Sequence, residues 1–218
     1  TGHAYCGGCG TGLRPAPASP QTVPEPPREP NEGRDPGVRH APHEGERRQV
    51  TVLIADLKGY TPLAERLGEE AVYQLMDGIY KAMIGVVERH DGTVQELTGD
   101  GILALFGAPL AREDAPLAAC RAAIAIQDEM REISRRLEAG HGVTARVRIG
   151  INTGPVVVAS VGNDTRTELK AIGDTVNVAA RLESMAEPGT VLLSEATHAL
   201  VAHGVEAIDL GLRDDKGK

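Results

Sequence analysis

The sequence predicts an α+β fold of ferredoxin-like βαββαβ order, an antiparallel sheet with helices on one face. Three observations predict it. Residues 49–55, QVTVLIA, form an apolar run of the length of a buried strand. Residues 92–106 place two β-prone runs, 93–97 and 102–106, on either side of Thr98-Gly99-Asp100-Gly101, where two glycines permit a tight reversal. Two long segments, 69–90 and 113–138, repeat apolar residues at three- and four-residue steps, the stripe of a helix that buries one face.

Residues 1–14 carry Cys6-Gly7-Gly8-Cys9-Gly10, a CxxCG knuckle that offers two of the four ligands of a tetrahedral Zn2+, with His3 as a third. Cys120, the only other cysteine, falls in a predicted helix and reads as a small core residue. Residues 15–47 hold nine of the 14 prolines and almost no large apolar side chains, so they read as a disordered linker that closes at Arg47 and Arg48. Residues 48–218 form the folded domain. Its first strand is followed by a short helix from Pro62 and a long one over 69–90, with Val72, Leu75, Met76, Ile79, Met83, Val86 and Val87 on the buried face. After the hairpin, the helix over 113–138 places Leu117, Cys120, Ile124, Met130, Ile133 and Leu137 inward. Strands over 144–151 and 155–161 flank Asn152-Thr153-Gly154, read as a hairpin turn. A strand over 168–172, a helix over 174–185, a strand over 191–193, a short helix from Ser194 and a last strand over 205–210 complete the chain.

Composition narrows the function. Hydrophobic residues make up 41% and charged residues 25% of the 218, which fits a globular domain. With one Phe and no Trp, its core must be aliphatic. No apolar run reaches the length of a membrane span and no signal peptide opens the chain, so the expectation is a cytoplasmic protein without a membrane partner. The start at Thr and the abrupt Lys-Gly-Lys end suggest a piece of a longer protein with further domains. Residues 1–48 carry six basic and six acidic side chains, so the net charge of −8 lies on the folded part. An acidic domain with no basic stripe repels a phosphate backbone, which argues against nucleic acid, whereas a nucleotide held through metal ions is compatible.

The candidate chemistry lies in carboxylates and glycines. Asp56 ends the first strand beside a glycine loop that opens a helix, and Asp100 stands at the hairpin tip; both can hold hard cations, or simply cap a helix and make a turn. Gly59, Tyr60 and Thr61 precede a proline at the first helical position, so backbone N–H groups and the helix dipole offer an anion site. Lys58 reads as a solvated surface lysine. Asn177 and Arg181, four apart on one helix, share a face; Arg181 can alternatively pair with Glu183 or Glu187.

Three blocks, Asp56-Leu57-Lys58-Gly59-Tyr60-Thr61, Thr98-Gly99-Asp100-Gly101 and the run from Ile172 to Arg181, resemble the signature blocks of class III adenylate/guanylate cyclases, in family order and spacing over residues 48–212. The resemblance implies the class III cyclase fold and a cyclase that converts ATP or GTP to the 3′,5′-cyclic nucleotide and pyrophosphate. It implies two Mg2+ or Mn2+ held by Asp56, Leu57 and Asp100, phosphate contacts from Gly59, Tyr60 and Thr61, ribose orientation by Asn177 and stabilisation of α-phosphate charge by Arg181. It implies a head-to-tail homodimer with composite sites, one chain giving the carboxylates and the other the Asn/Arg pair. Cys6 and Cys9 resemble the second half of a zinc ribbon found ahead of such domains. The alternative is a cyclase-like regulatory or nucleotide-binding module with little turnover. A diguanylate cyclase is disfavoured because no Gly-Gly-[Asp/Glu]-Glu-Phe hairpin occurs.

At the positions that read the base, the chain departs from the adenylate cyclase pattern. Glu96 stands where adenylate cyclases carry Lys, and Lys170 where they carry Asp or Thr. A carboxylate can accept both guanine donors and an ammonium can donate to its carbonyl, so the pair is complementary to guanine; alternatively the two residues pair with each other and read nothing.

Overall fold

The structure, a computed structural model, describes residues 46–58, 64, 66–163 and 166–211. The order is β1 (Glu46–Lys58), α1 (Glu69–Arg89), β2 (Gly92–Leu97), β3 (Gly101–Phe106), α2 (Ala115–His141), β4 (Arg146–Asn163), β5 (Arg166–Ile172), α3 (Asp174–Met185), β6 (Val191–Leu193) and α4 (Glu195–Val201). The strands form a six-stranded sheet of order β2-β3-β1-β4-β5, with β6 parallel to β4 and the other neighbours antiparallel. The inner run β2-β3-β1-β4 is the ferredoxin-like order the sequence predicts.

Alternation along β1 and β3 divides the core in two. Leu53, Ala55, Leu57, Ile102, Ala104 and Phe106 face α1 and α2. Val50, Val52, Ile54, Leu103 and Leu105 face the other way and meet Val158, Ala171 and Ala179. Thus α1, α2 and α4 cover one face, while α3 and the far part of the β4–β5 hairpin cover the other. Gly150 permits this second layer. A Cβ there would collide with the backbone of Ala179 and Glu183, so α3 lies directly on β4.

Several sequence expectations change. Asn152-Thr153-Gly154 is no turn: β4 runs unbroken, and Asn152, Thr153 and Gly154 pair with Val52, Thr51 and Val50. The turn-prone side chains are buried and satisfied from elsewhere. Thr153 Oγ1 lies 2.9 Å from Thr51 Oγ1 and accepts from Thr197 Oγ1 at 3.0 Å. Asn152 Nδ2 donates to the Thr175 carbonyl at 3.0 Å, and Asn152 Oδ1 accepts from Ser194 Oγ at 2.7 Å. Residues 205–210 form no strand, and Ile208 is exposed, because apolar character without a pairing neighbour does not make one. Arg47 and Arg48 belong to β1 rather than to the end of a linker. In α2, Ile124 is exposed, and Ala119, Ala123 and Ile126 take the core positions; alanines let the helix approach the sheet closely. Of the short helix expected from Pro62, Ala64, Arg66 and Leu67 are helical and the rest lies outside the described residues. Cys120 is buried as expected, and burial pushes its thiol up to about 11.

Candidate active site

Asp56 is positioned by strand alternation. It continues the face of Val50, Val52 and Ile54 to the end of β1, where its cross-strand neighbours are Gly101 on β3 and Arg148 on β4. At Gly101 a Cβ would strike the Ala55 carbonyl, so only glycine lets the hairpin tip come this near. The tip is closed by Thr98 N–H donating to the Gly101 carbonyl at 2.9 Å, and Leu57 N–H donates to the Asp100 carbonyl at 3.2 Å. These constraints bring the two carboxyls, 44 positions apart in the chain, close enough for each to shift the other's proton affinity.

The two groups divide a proton unequally. Burial pushes the Asp56 carboxyl up, but hydrogen bonds from Arg148 and Asp100, with the nearby Lys58, outweigh it and hold Asp56 below the ordinary aspartate value. At Asp100 burial, then the hydrogen bond and charge of Asp56, push the carboxyl above that value. Leu57 has its side chain in the core at 2% exposure, so only its backbone could join a metal site.

Sequence reasoning missed the cationic partner. Arg148 Nη2 donates to Asp56 Oδ2 at 2.7 Å and lies 2.6 Å from Glu183 Oε1, while Nη1 donates to the Ser184 carbonyl at 3.1 Å. All three charged side chains are largely buried, with 14% exposure at Arg148, 19% at Asp56 and 10% at Glu183. The Arg148–Glu183 contact is an ion pair without hydrogen-bond alignment: Arg148 Nε and Glu183 Oε1 are buried and lack hydrogen-bond partners. Burial pushes Glu183 upward against the pull of Arg148. The available signal was a charged residue between Val147 and Ile149, two core positions of a strand. Lys58 also leans in, its Nζ 3.5 Å from Asp56 Oδ2, rather than pointing to solvent alone.

The donor set fits a hard divalent cation. Two carboxylates within hydrogen-bond reach are oxygen ligands of the kind Mg2+ and Mn2+ take, and like charges so close call for a counter-charge. No cluster of three or more His, Cys, Asp or Glu gathers among the described residues, so the pair would need backbone or nucleotide oxygens to complete a shell.

The other expected residues divide by place. Asn177 and Arg181 are exposed on α3, and Glu183 on the same helix is taken by Arg148. Glu96 is exposed on β2, and residue 170 lies on β5 opposite Ala159. Gly59, Tyr60 and Thr61, and Cys6 and Cys9, lie outside the described residues. A cleft of about 470 Å³ runs along β4 and the start of α3, lined by Asn152, Pro155, Val157, Ile172 and Val178 among others. Among the described residues no helix is long and apolar enough to cross a membrane.

A mixed sheet of this order, with paired carboxyls where a strand end meets a hairpin tip, defines a nucleotide-cyclase-like catalytic domain. Residues 43–216 match the family described as Adenylate and Guanylate cyclase catalytic domain, and the chain belongs to that family. Adenylate cyclase 1 of Rhizobium meliloti is 36% identical over 174 residues, 79% of this chain, which spans 26% of that protein. Among solved structures, the adenylyl cyclase CyaB from P. aeruginosa superposes with a TM-score of 0.75 at 32% identity, over 80% of this chain and 91% of that one. The guanylyl cyclase Cya2 superposes at 0.70 with 34% identity, over 80% and 89%.

Proposed function

We propose that this domain is a class III purine nucleotide cyclase that forms a 3′,5′-cyclic nucleotide and pyrophosphate. The observation that carries the reading is the meeting of Asp56 and Asp100, which leaves two carboxylates and one buried guanidinium at one point of the sheet. When bound, divalent cations supply Lewis acidity toward the ribose 3′-hydroxyl and neutralise phosphate charge. Asp56 and Asp100 hold that charge in place. The 3′-oxygen gives up its proton to solvent water and bonds to the α-phosphorus as the bond to pyrophosphate breaks. Asn177 orients the ribose, and Arg181, whose planar guanidinium keeps its charge, stabilises the negative charge that builds on the α-phosphate. The sequence pattern gives Gly59, Tyr60 and Thr61 the phosphate contacts.

The site is shared between two copies of the chain in a head-to-tail homodimer. Supporting this, Val157 and Ile172 are register partners on the β4–β5 hairpin, yet they are exposed at 43% and 63%, an apolar pair beside the helix that carries Asn177 and Arg181. ATP and GTP both remain substrates of this reading, since CyaB is described as an adenylyl cyclase and Cya2 as a guanylyl cyclase. On chemistry, Glu96 and Lys170 favour guanine, because a mismatched buried polar group costs about 1–3 kcal/mol.

The test is product analysis of the purified chain with ATP and with GTP, each with Mg2+ or Mn2+. Cyclic nucleotide should form, and Asp56→Ala should abolish it while the melting profile stays cooperative. Near-normal turnover by Asp56→Ala would remove the mechanism, and no product from either nucleotide under any metal would favour a non-catalytic binding module.

A further inference from the structure

Strand β2 contains one residue too many. Val94 pairs with Ala104 and Glu96 with Leu103, so Gln95 is an extra residue, a β-bulge. The bulge decides where Glu96 stands. Val94 packs on the core under α1 and α2, and regular alternation would return residue 96 to that same side. With Gln95 inserted, Glu96 stands instead opposite Leu103, whose side chain belongs to the other face of the sheet. That is the face covered by Ala171 of β5.

Gln95 also makes the link between the two strands. The backbone N–H of Ala171 donates to Gln95 Oε1 at 2.6 Å, 76 positions away in the chain. Strands β2 and β5 are the two ends of the sheet path and are not ladder partners, so this contact crosses the face of the sheet. Ala171 is 7% exposed and the bond is part-buried, so it is partly shielded from competing water. Residue 96 is the chain neighbour of Gln95, and residue 170 is the chain neighbour of Ala171.

We propose that Gln95 is a specificity-positioning residue: the bulge turns Glu96 onto the β5 face, and the Gln95–Ala171 hydrogen bond sets the separation of positions 96 and 170. The inference rests on the reading that those two positions read the purine. Gln95 touches no substrate; it acts by holding two recognition positions at the spacing of one base edge.

The test uses the full chain with Mn2+ and two probes that cannot cyclise, 3′-deoxy-GTP and 3′-deoxy-ATP, with affinities measured by calorimetry beside KM and kcat on GTP and ATP. Gln95→Met and Gln95→Asn remove or withdraw the acceptor, whereas Gln95→Glu keeps an oxygen at the same reach. The ratio of GTP to ATP affinity should fall about three- to tenfold in the Met and Asn variants, the effect of one net hydrogen bond, and the loss should appear in KM more than in kcat. Gln95→Glu should keep most of the wild-type ratio. If Glu96→Ala changes the ratio but Gln95→Met and Gln95→Asn do not, the base is read at 96 and the positioning role is wrong. If the wild type and Glu96→Ala show the same ratio, the reading of positions 96 and 170 fails, and the proposal goes with it. An equal loss in all three Gln95 variants would also overturn it, since the acceptor oxygen would then be irrelevant.

Discussion

Arg148 ties the end of β1 to α3 at the level of single residues. Its guanidinium neutralises Asp56 from β1 and Glu183 from α3 at once, at 2.7 and 2.6 Å. Removing one member of a buried ion cluster is costly because the remaining charge keeps its desolvation penalty and loses its partner. Arg148→Ala should therefore lose about 3 kcal/mol in urea unfolding, the low end for buried pairs because Asp56 retains some solvent. Arg148→Met/Glu183→Leu removes one of the two stranded carboxylates, leaving Asp56 with Lys58 alone, and should recover part of that loss. A double variant no more stable than Arg148→Ala would mean that the arginine contributes packing rather than charge compensation.

At the scale of elements, the decisive contact is α3 lying on β4 at Gly150. The carbonyl of Ala179 and the backbone nitrogen of Glu183 occupy the space a Cβ would need, so any side chain at 150 must lift the helix. Gly150→Ala should cost about 1–3 kcal/mol, the range for overpacking a filled site. Because Asn177 and Arg181 ride on the same helix, kcat should fall as well. Gly154→Ala makes a graded comparison, since a Cβ there would meet the Thr175 side chain, with Oγ1 at 2.7 Å, rather than helix backbone. Turnover and unfolding free energy measured on both variants should rank Gly150→Ala as the more damaging. Equal effects would show that the height of α3 over the sheet does not matter.

For the whole molecule, the question is how one chain completes the proposed site, whose carboxylates stand near the end of β1 and at the β2–β3 hairpin tip while Asn177 and Arg181 are exposed on α3. In the proposed head-to-tail dimer, the first set of one copy would meet the second set of the other, and Val157 and Ile172 would be covered. Asp56→Ala and Arg181→Ala proteins should each be inactive, and mixing them should restore about a quarter of wild-type activity, because half of the randomly mixed dimers carry one intact site out of two. Heterodimers that form without any recovery of cyclic nucleotide synthesis would mean that each site lies within one chain. The domain that carries this scheme is the one matched over residues 43–216, which includes all of β1 from Glu46.

Local pattern was enough for much of this. The stripe of Val72, Met76, Ile79, Met83, Val86 and Val87 specified α1 by its own period, and the glycines about Asp100 specified the β2–β3 hairpin. The helix Asp174–Met185 was legible to the residue from its flanking glycine and following Pro-Gly turn. Such features rest on neighbours in the chain, and the sequence contains those neighbours. Tertiary structure decided the rest. Asn152-Thr153-Gly154 has turn chemistry, but Thr51, Thr175, Ser194 and Thr197, all distant in sequence, satisfy its polar groups and keep the strand straight. The bulge at Gln95 left a trace, since Val94 and Leu97 are three apart where alternation requires an even step, yet only the Ala171 contact shows what it is for. The same holds for Arg148: its partners lie 92 and 35 positions away, and no local propensity can select a charge pair that exists only once β4 lies beside β1 and beneath α3.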